Sequence, residues 1–401
     1  MKIKKLDKET TVYAFLALLL SMQPQTYFVN VFCNYVISWG NIYDTIICYI
    51  IFFVFLFFAF KAVYRRMKVD IVALFIFLAI AWVSTSVFHS GDGNGKYMFT
   101  YTKDLLHNPL YHLFLYSFTG YVFARYIGNY KLFEDILIKF SIAVVICSTA
   151  TFFVLLIGKK VQQQYMTFSY NMLLHTAMLI LSYFRRKKLL YLIVGLTGMV
   201  MIFIAGCRGA IVSLIASVVM YMFFRKDKPI RKLALIGTII LVSCVVLINF
   251  EGVLNYISDV AEELEMDSRT IEMIQEGEFL EDSGRGKIQE KLKDEYTLFG
   301  SGLYGDRILT GTETYAHNLV IEILIDFGVI FGTPILILFF ITLLRGIFAP
   351  NRDLRFLVLV FFSAGLIKLF FSSSYLMQEP AFYVLLGLCV NAGEKKKRID
   401  W

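Results

Sequence analysis

Charge is scarce in this sequence. Only 17% of its 401 residues are Asp, Glu, Lys or Arg, against 58% hydrophobic, and the mean hydropathy is +0.66. A chain of this length cannot hide so much apolar surface in one soluble core, so the composition excludes a water-soluble enzyme and indicates a polytopic membrane protein. Proline is limited to six copies, which leaves little room for long irregular linkers. The six cysteines, Cys33, Cys48, Cys147, Cys207, Cys244 and Cys389, are scattered, mostly within apolar runs, and form no CxxC pair. That spacing gives neither a zinc site nor a disulfide framework; they read as small buried hydrophobes. Histidine occurs five times without metal-ligand spacing, and no outward D-x-D pair is present, so neither a metal nor a cofactor is expected. The N-terminal stretch MKIKKLDKETTVYAFLALLL lacks a small-residue cleavage site, and its apolar run is expected to stay as a span.

What the chain does have is apolar runs of helical length, near 11–23, 44–63, 69–88, 110–127, 136–157, 169–184, 189–206, 210–224, 233–250, 318–344, 354–371 and 380–392, about twelve in all. The net charge of +8 follows them. Lysine and arginine cluster in short loops beside the runs: Lys2–Lys8, Lys61–Lys68, Arg185–Lys188, Arg225–Lys232, Arg345–Arg355 and Lys395–Arg398. An even number of proposed spans separates each cluster from the next, so the charge sets topology by the positive-inside rule and does not mark a nucleic-acid surface. Both termini then face the cytoplasm, and loops 89–108, 158–168 and 251–316 face outward. The expectation is an all-α polytopic membrane protein, residues 1–401 forming one integral membrane domain with 251–316 as a large extracytoplasmic capping loop.

That loop holds sixteen acids against six bases. Ile257, Val260, Ala261 and Leu264, and again Ile288, Leu292, Tyr296 and Phe299, recur at about one turn, which predicts short amphipathic helices lying on the membrane or on the bundle. The cluster Glu262, Glu263, Glu265 and Asp267 lacks calcium-loop spacing and reads as a solvated face.

Charges inside spans each cost about 2.5–3.5 kcal/mol on insertion scales, so each is a functional candidate. Arg208, in IFIAGCRGAIVSLIA, sits between Gly206 and Gly209 on the outward side. Two readings stand: it grips a phosphate bidentately with help from the N–H groups of the following helix, or it snorkels to lipid headgroups. Arg125 and Lys139 read as snorkelling cations, His175 as a satisfied interior histidine, and Lys368 as a partner for Glu322 or Asp326. In ETYAHNLVIEILIDFG, His317 stands where the outer loop becomes a helix; the positive helix end keeps the ring neutral and able to accept a proton. Asn318 adds a hydrogen bond at the same level. Glu322 and Asp326, four apart, share an inward face. The alternative is a capping histidine over a buried carboxylate pair. Arg285 between glycines, and the turn at Gly300, Gly302 and Gly305, complete this junction.

Taken in order, AGCRGA opening one span, SGRGKIQEKLKDEYTLFGSGLYG in the large loop and AHNLVIEILIDFGVIFG opening the next span resemble the O-antigen polymerase and O-antigen ligase family of bacterial envelope glycan enzymes. The resemblance covers roughly the C-terminal half. Arg208 matches the arginine of the family's S-R-G turn, with Cys207 in place of serine. Arg285 matches the loop arginine, although the tryptophan usual a few residues later is absent, Ile288 and Gln289 standing there. His317 and Asn318 match the His-Asn pair.

The resemblance implies a GT-C-like helical fold and inverting, metal-independent glycosyl transfer from an undecaprenyl-diphosphate-linked oligosaccharide at the outer face of the bacterial inner membrane. In that scheme His317, Arg208 and Arg285 are catalytic, and Asn318, Glu322, Gly300 and Gly302 bind substrate. Two fixed cations stabilise the departing diphosphate, and the neutral imidazole takes the proton of the attacking hydroxyl or positions it. Repeat-unit polymerisation into O-antigen or capsule is the leading expectation. Ligation of finished glycan to another acceptor is its rival, and a flippase or transporter, which predicts two similar halves with discontinuous helices, is the alternative from another class. Partners are the lipid-linked donor and acceptor, the bilayer, a chain-length regulator and a flippase, with no nucleic acid.

Overall fold

An apolar segment without access to water satisfies every backbone N–H and C=O within itself only as a helix, and runs of Phe, Leu and Ile at this density leave little alternative. The computed structural model describes residues 8–33, 41–63, 70, 72, 117–157, 165–205, 207–224, 285–310, 315–377 and 379–393. Among them there are helices and no strand. In chain order these are α1 (Lys8–Leu20), α2 (Met22–Phe32), α3 (Asn41–Val63), α4 (Thr119–Arg125), α5 (Tyr130–Ile157), α6 (Tyr165–Arg186), α7 (Leu189–Ala205) and α8 (Arg208–Phe224). After them come α9 (Arg285–Asp294), α10 (Gly305–Thr310), α11 (Leu319–Ile347), α12 (Arg352–Phe361) and α13 (Pro380–Gly393), with a π turn at Phe362–Leu366 and a 3-10 turn at Ile367–Phe370 between the last two.

Two of these, Tyr130–Leu155 and Leu319–Ile347, are long and apolar enough to cross a membrane, and a third is added if α1 and α2 form one bent span. α7, α8 and α13 are apolar but shorter. The runs near 69–88, 110–127 and 233–250, and most of loop 251–316, including the expected helix at 257–264 and the acid cluster at 262–267, fall wholly or partly outside the described residues.

The chain divides into two compact units, each described by itself. The second unit comprises Ser21–Ile51 and Leu137–Glu281. In it α7 and α8 pack on α6. A Cβ added at Gly198 of α7 would lie 2.4 Å from Thr176 Oγ1 of α6, so the small residue is what lets the two backbones close, as helix pairs in lipid favour. The opposite face of α7 leaves Leu189, Leu190, Ile193, Leu196, Val200 and Phe203 exposed, the composition a hydrocarbon contact requires. His175 is buried in the interior, as expected, with its Nδ1 3.0 Å from Ser141 Oγ. Cys33 and Cys207 are buried, the small interior hydrophobes expected.

The first unit comprises Met1–Leu20, Phe52–Ile136 and Asp282–Trp401. Its hub is α13, which packs on α4, α11, α12 and the π turn. Gly387 permits the α4 contact, since a Cβ there would sit 2.3 Å from Tyr121 O. Arg125 does not snorkel as expected. It forms an ion pair with buried Asp70, because an inward carboxylate is a better partner for a guanidinium than a headgroup beyond the helix end.

Candidate active site

The junction between loop and α11 is built on a broken helix. At Gly328 (φ 69°, ψ 174°) the backbone leaves helical geometry, so Val329 and Ile330 lose the carbonyls four residues back. The segment 297–302 supplies both halves of the missing ladder. Ser301 N–H and Gly302 N–H donate to Ile325 O (2.7 Å) and Asp326 O (3.1 Å), while Val329 N–H and Ile330 N–H donate to Thr297 O (3.0 Å) and Leu298 O (3.1 Å). This exchange is what makes a break tolerable in an apolar surrounding. It also demands glycine. A Cβ on Gly328 would come within 2.2 Å of Gly300 N, and one on Gly300, itself at φ 83°, within 2.4 Å of Asp326 O. Gly300 and Gly302, expected to bind substrate, here hold the loop to the helix.

The half of α11 before the break carries the polar groups. Asn318 Oδ1 accepts from Val320 N–H (3.0 Å) and Ile321 N–H (3.4 Å), an N-cap, so the side chain expected at a substrate starts the helix. Glu322 and Asp326 are 1% and 2% exposed, on the inward face the spacing predicted. Neither pairs with Lys368. Ser374 Oγ donates to Glu322 Oε1, Asp326 accepts from Gly305 N–H (3.1 Å) and Tyr375 OH (2.6 Å), and Lys368 forms its ion pair with Glu379. The reason is proximity in chain: Lys368 lies in the 3-10 turn just before the 371–379 segment that carries Glu379, and that same segment brings Ser374 and Tyr375 to α11.

Arg285 opens α9, a helix of ten residues that ends at Asp294, so Tyr296 and Phe299 lie beyond it. α9 packs on the bundle, not on open lipid. Leu292, fully buried, joins Ala316, Ile321 and Ile325, with Ile288 and Tyr296 beside them. Burial of one leucine is worth about 2 kcal/mol. It fixes the helix headed by Arg285 to the same half of α11 that follows His317.

His317 adopts φ 51°, a left-handed backbone that favours glycine, and its ring lies 4.1 Å (centroid to centroid) from that of Tyr315. Its imidazole is pushed down to about 4, first by burial and then by the Arg285 cation. The ring is therefore neutral at physiological pH, as expected, but the causes are burial and a charged neighbour. Its Nδ1 is buried without a hydrogen-bond partner among the described residues.

Residues that the sequence reading passed over complete the arrangement. Asp306 accepts from Ala316 N–H (2.8 Å) and Arg307 N–H (2.9 Å), tying α10 to the residue before His317. Burial pushes its carboxyl up, opposed by the Arg307 charge and these N–H groups. Arg307 is 7% exposed, with its guanidinium 4.6 Å from the Tyr304 ring centre and 5.8 Å from that of Tyr315. Tyr315 OH donates to Ser372 O (2.8 Å), and burial pushes its phenol up to about 12. The only sequence signal was an acid–base pair, Asp306-Arg307, behind a glycine, indistinguishable there from ordinary loop charge.

Arg208 is the first residue of α8 and belongs to the second unit, whereas Arg285 and His317 belong to the first. Among the described residues no three His, Cys, Asp or Glu side chains form a metal-binding group. No curated protein and no solved structure matches the chain. Residues 192–335 match the family model described as O-antigen ligase, a stretch that contains Arg208, Arg285 and His317. The match, confined to residues 192–335, is consistent with the O-antigen polymerase and ligase family.

Proposed function

We propose that this protein is a glycosyltransferase of the bacterial inner membrane that joins polyprenyl-diphosphate-linked oligosaccharide repeat units into O-antigen or capsule, on a GT-C-like bundle of about twelve spans with its site facing outward. The observation that carries the reading is a neutral, half-buried imidazole at His317 under the influence of the Arg285 cation, inside the stretch that matches the family model.

In the proposed reaction the acceptor sugar hydroxyl attacks the anomeric carbon from the face opposite the diphosphate. The new C–O bond forms as the bond to the phosphate oxygen breaks, the configuration inverts, and the electron pair leaves on the diphosphate. Arg285 stabilises that charge; Arg208 is assigned the same task on its motif. The hydroxyl proton goes to His317. An imidazole near 4 is a weak base, but the free-protein value includes the repulsion of Arg285. A bound diphosphate offsets that cation, so donor binding raises the basicity of His317 just when a base is needed.

Purified protein supplied with diphosphate-linked repeat units should yield a ladder of products differing by one repeat. A single transfer to another acceptor would instead support the ligase reading. No covalent product with either acceptor would remove the enzyme reading and leave a transporter.

A further inference from the structure

Among the described residues, four buried side-chain atoms between positions 304 and 322 have no hydrogen-bond partner: Tyr304 OH, Arg307 Nη1, His317 Nδ1 and Glu322 Oε2. Such atoms are rare in folded proteins, and a buried guanidinium nitrogen left unmade is among the more expensive cases. Among the described residues Arg307 makes no ion pair with a carboxylate, although Asp306, Glu322 and Asp326 all lie within electrostatic range of it. Its charge rests on the faces of Tyr304 and Tyr315, at 4.6 and 5.8 Å, and the Tyr315 ring rests in turn on that of His317 at 4.1 Å. Tyr304, like His317, is a non-glycine residue in the left-handed region, at φ 64°. Strain of this kind, roughly 1–3 kcal/mol each, is kept where the surroundings impose it.

The four unmade bonds have mixed polarity. Arg307 offers a donor, Glu322 an acceptor, Tyr304 OH either, and neutral His317 an acceptor or donor by tautomer. An anion fits poorly at Arg307, because Asp306, Glu322 and Asp326 all lie within electrostatic range of it. A neutral polyol fits: each sugar hydroxyl both donates and accepts, and the apolar face of a pyranose matches the two tyrosine rings. Resting on the glycosyl-transfer reading above, we propose that Arg307, Glu322 and Tyr304 form a saccharide subsite that holds the acceptor sugar by its hydroxyls beside His317, separate in task from the diphosphate contact of Arg285. Tyr315 and His317, the partly exposed members of the group, mark the side from which the sugar enters.

The test uses full-length protein in nanodiscs and two probes: the neutral oligosaccharide released by mild acid from lipid-linked repeat units, and inorganic diphosphate. Wild-type protein should bind the oligosaccharide saturably, and diphosphate should not displace it. Arg307→Lys and Glu322→Gln should each weaken oligosaccharide binding about tenfold, the loss expected for one hydrogen bond to a charged group, with diphosphate affinity within about twofold. Arg285→Gln should do the reverse. Absence of saturable oligosaccharide binding to wild type, displacement by diphosphate, or variants that lose diphosphate affinity instead would overturn the subsite. Should Arg307→Lys not be recovered from the membrane, the isosteric Glu322→Gln and the wild-type competition decide. Saccharide binding that depends on Arg307 and Glu322 without any transfer of repeat units would leave the subsite standing and remove the glycosyltransferase reading.

Discussion

Residues 319–327 of α11 bury Ile321, Glu322, Ile325 and Asp326, whereas residues 329–347 leave Val329, Phe331, Ile337, Leu338 and Leu344 exposed. The two halves are continuous in sequence, yet one carries two buried carboxylates among hydrogen-bond donors and the other pairs a buried stripe of Leu336, Phe339 and Leu343 with an exposed apolar face. The break at Gly328 separates these tasks. It frees two N–H groups and two carbonyls for segment 297–302, and so anchors the loop that brings Asp306, Arg307, Tyr315 and His317 to the inner half. A straight helix would have kept those groups for itself and left the loop unattached.

The comparison is broken most completely by adding one carbon. Gly328→Ala should abolish folded, membrane-extractable protein, because the new Cβ overlaps the Gly300 backbone at 2.2 Å and the residue must hold φ 69°; Leu338→Ala in the outward half should leave yield and thermal stability unchanged, and the two are read side by side by fluorescence size-exclusion chromatography. Next in size, His317→Ala should lower transfer by about 10²–10⁴ with the protein still recovered intact, measured as initial rates on lipid-linked donor. Asp326→Asn keeps the shape but leaves the amide nitrogen facing either Gly305 N–H or the Tyr375 hydroxyl, and should lower stability by about 1–3 kcal/mol, read as the shift of a thermal unfolding curve.

The smallest effect is in pH dependence. With His317 near 4 in the free protein, kcat/KM should show no inflection near 6.5 and should fall only as the pH approaches 4. Arg285→Gln removes a cation that disfavours imidazolium, so the inflection should move up while staying below 6.5, burial being the larger cause. An unchanged inflection in that variant would separate Arg285 from His317.

Much of the arrangement around His317 was legible because its residues occur at informative places. Arg285 sits between glycines, His317 heads an apolar helix, and Glu322 and Asp326 fall on one helical face, and each of these is a statement about spacing along a single element. Arg307 and Tyr304 were not legible, because a basic and an aromatic residue in a sixteen-acid loop look like solvated surface until the fold covers them. Lys368 was given the wrong partner for a related reason: the sequence counts buried charges but does not say which carboxylate a turn will deliver.

By itself, the amino-acid order determined that this chain is a helical membrane protein and which stretches resemble the family's motifs, because hydropathy and motif are properties of neighbours along the chain. Only the tertiary structure decided that α11 is broken, that the loop completes its hydrogen bonds, and that Arg307 and Glu322 are buried with bonds unmade. Those facts depend on which distant backbone lies within about 3 Å of which, and hydrogen bonding at that range has no signature in a linear pattern.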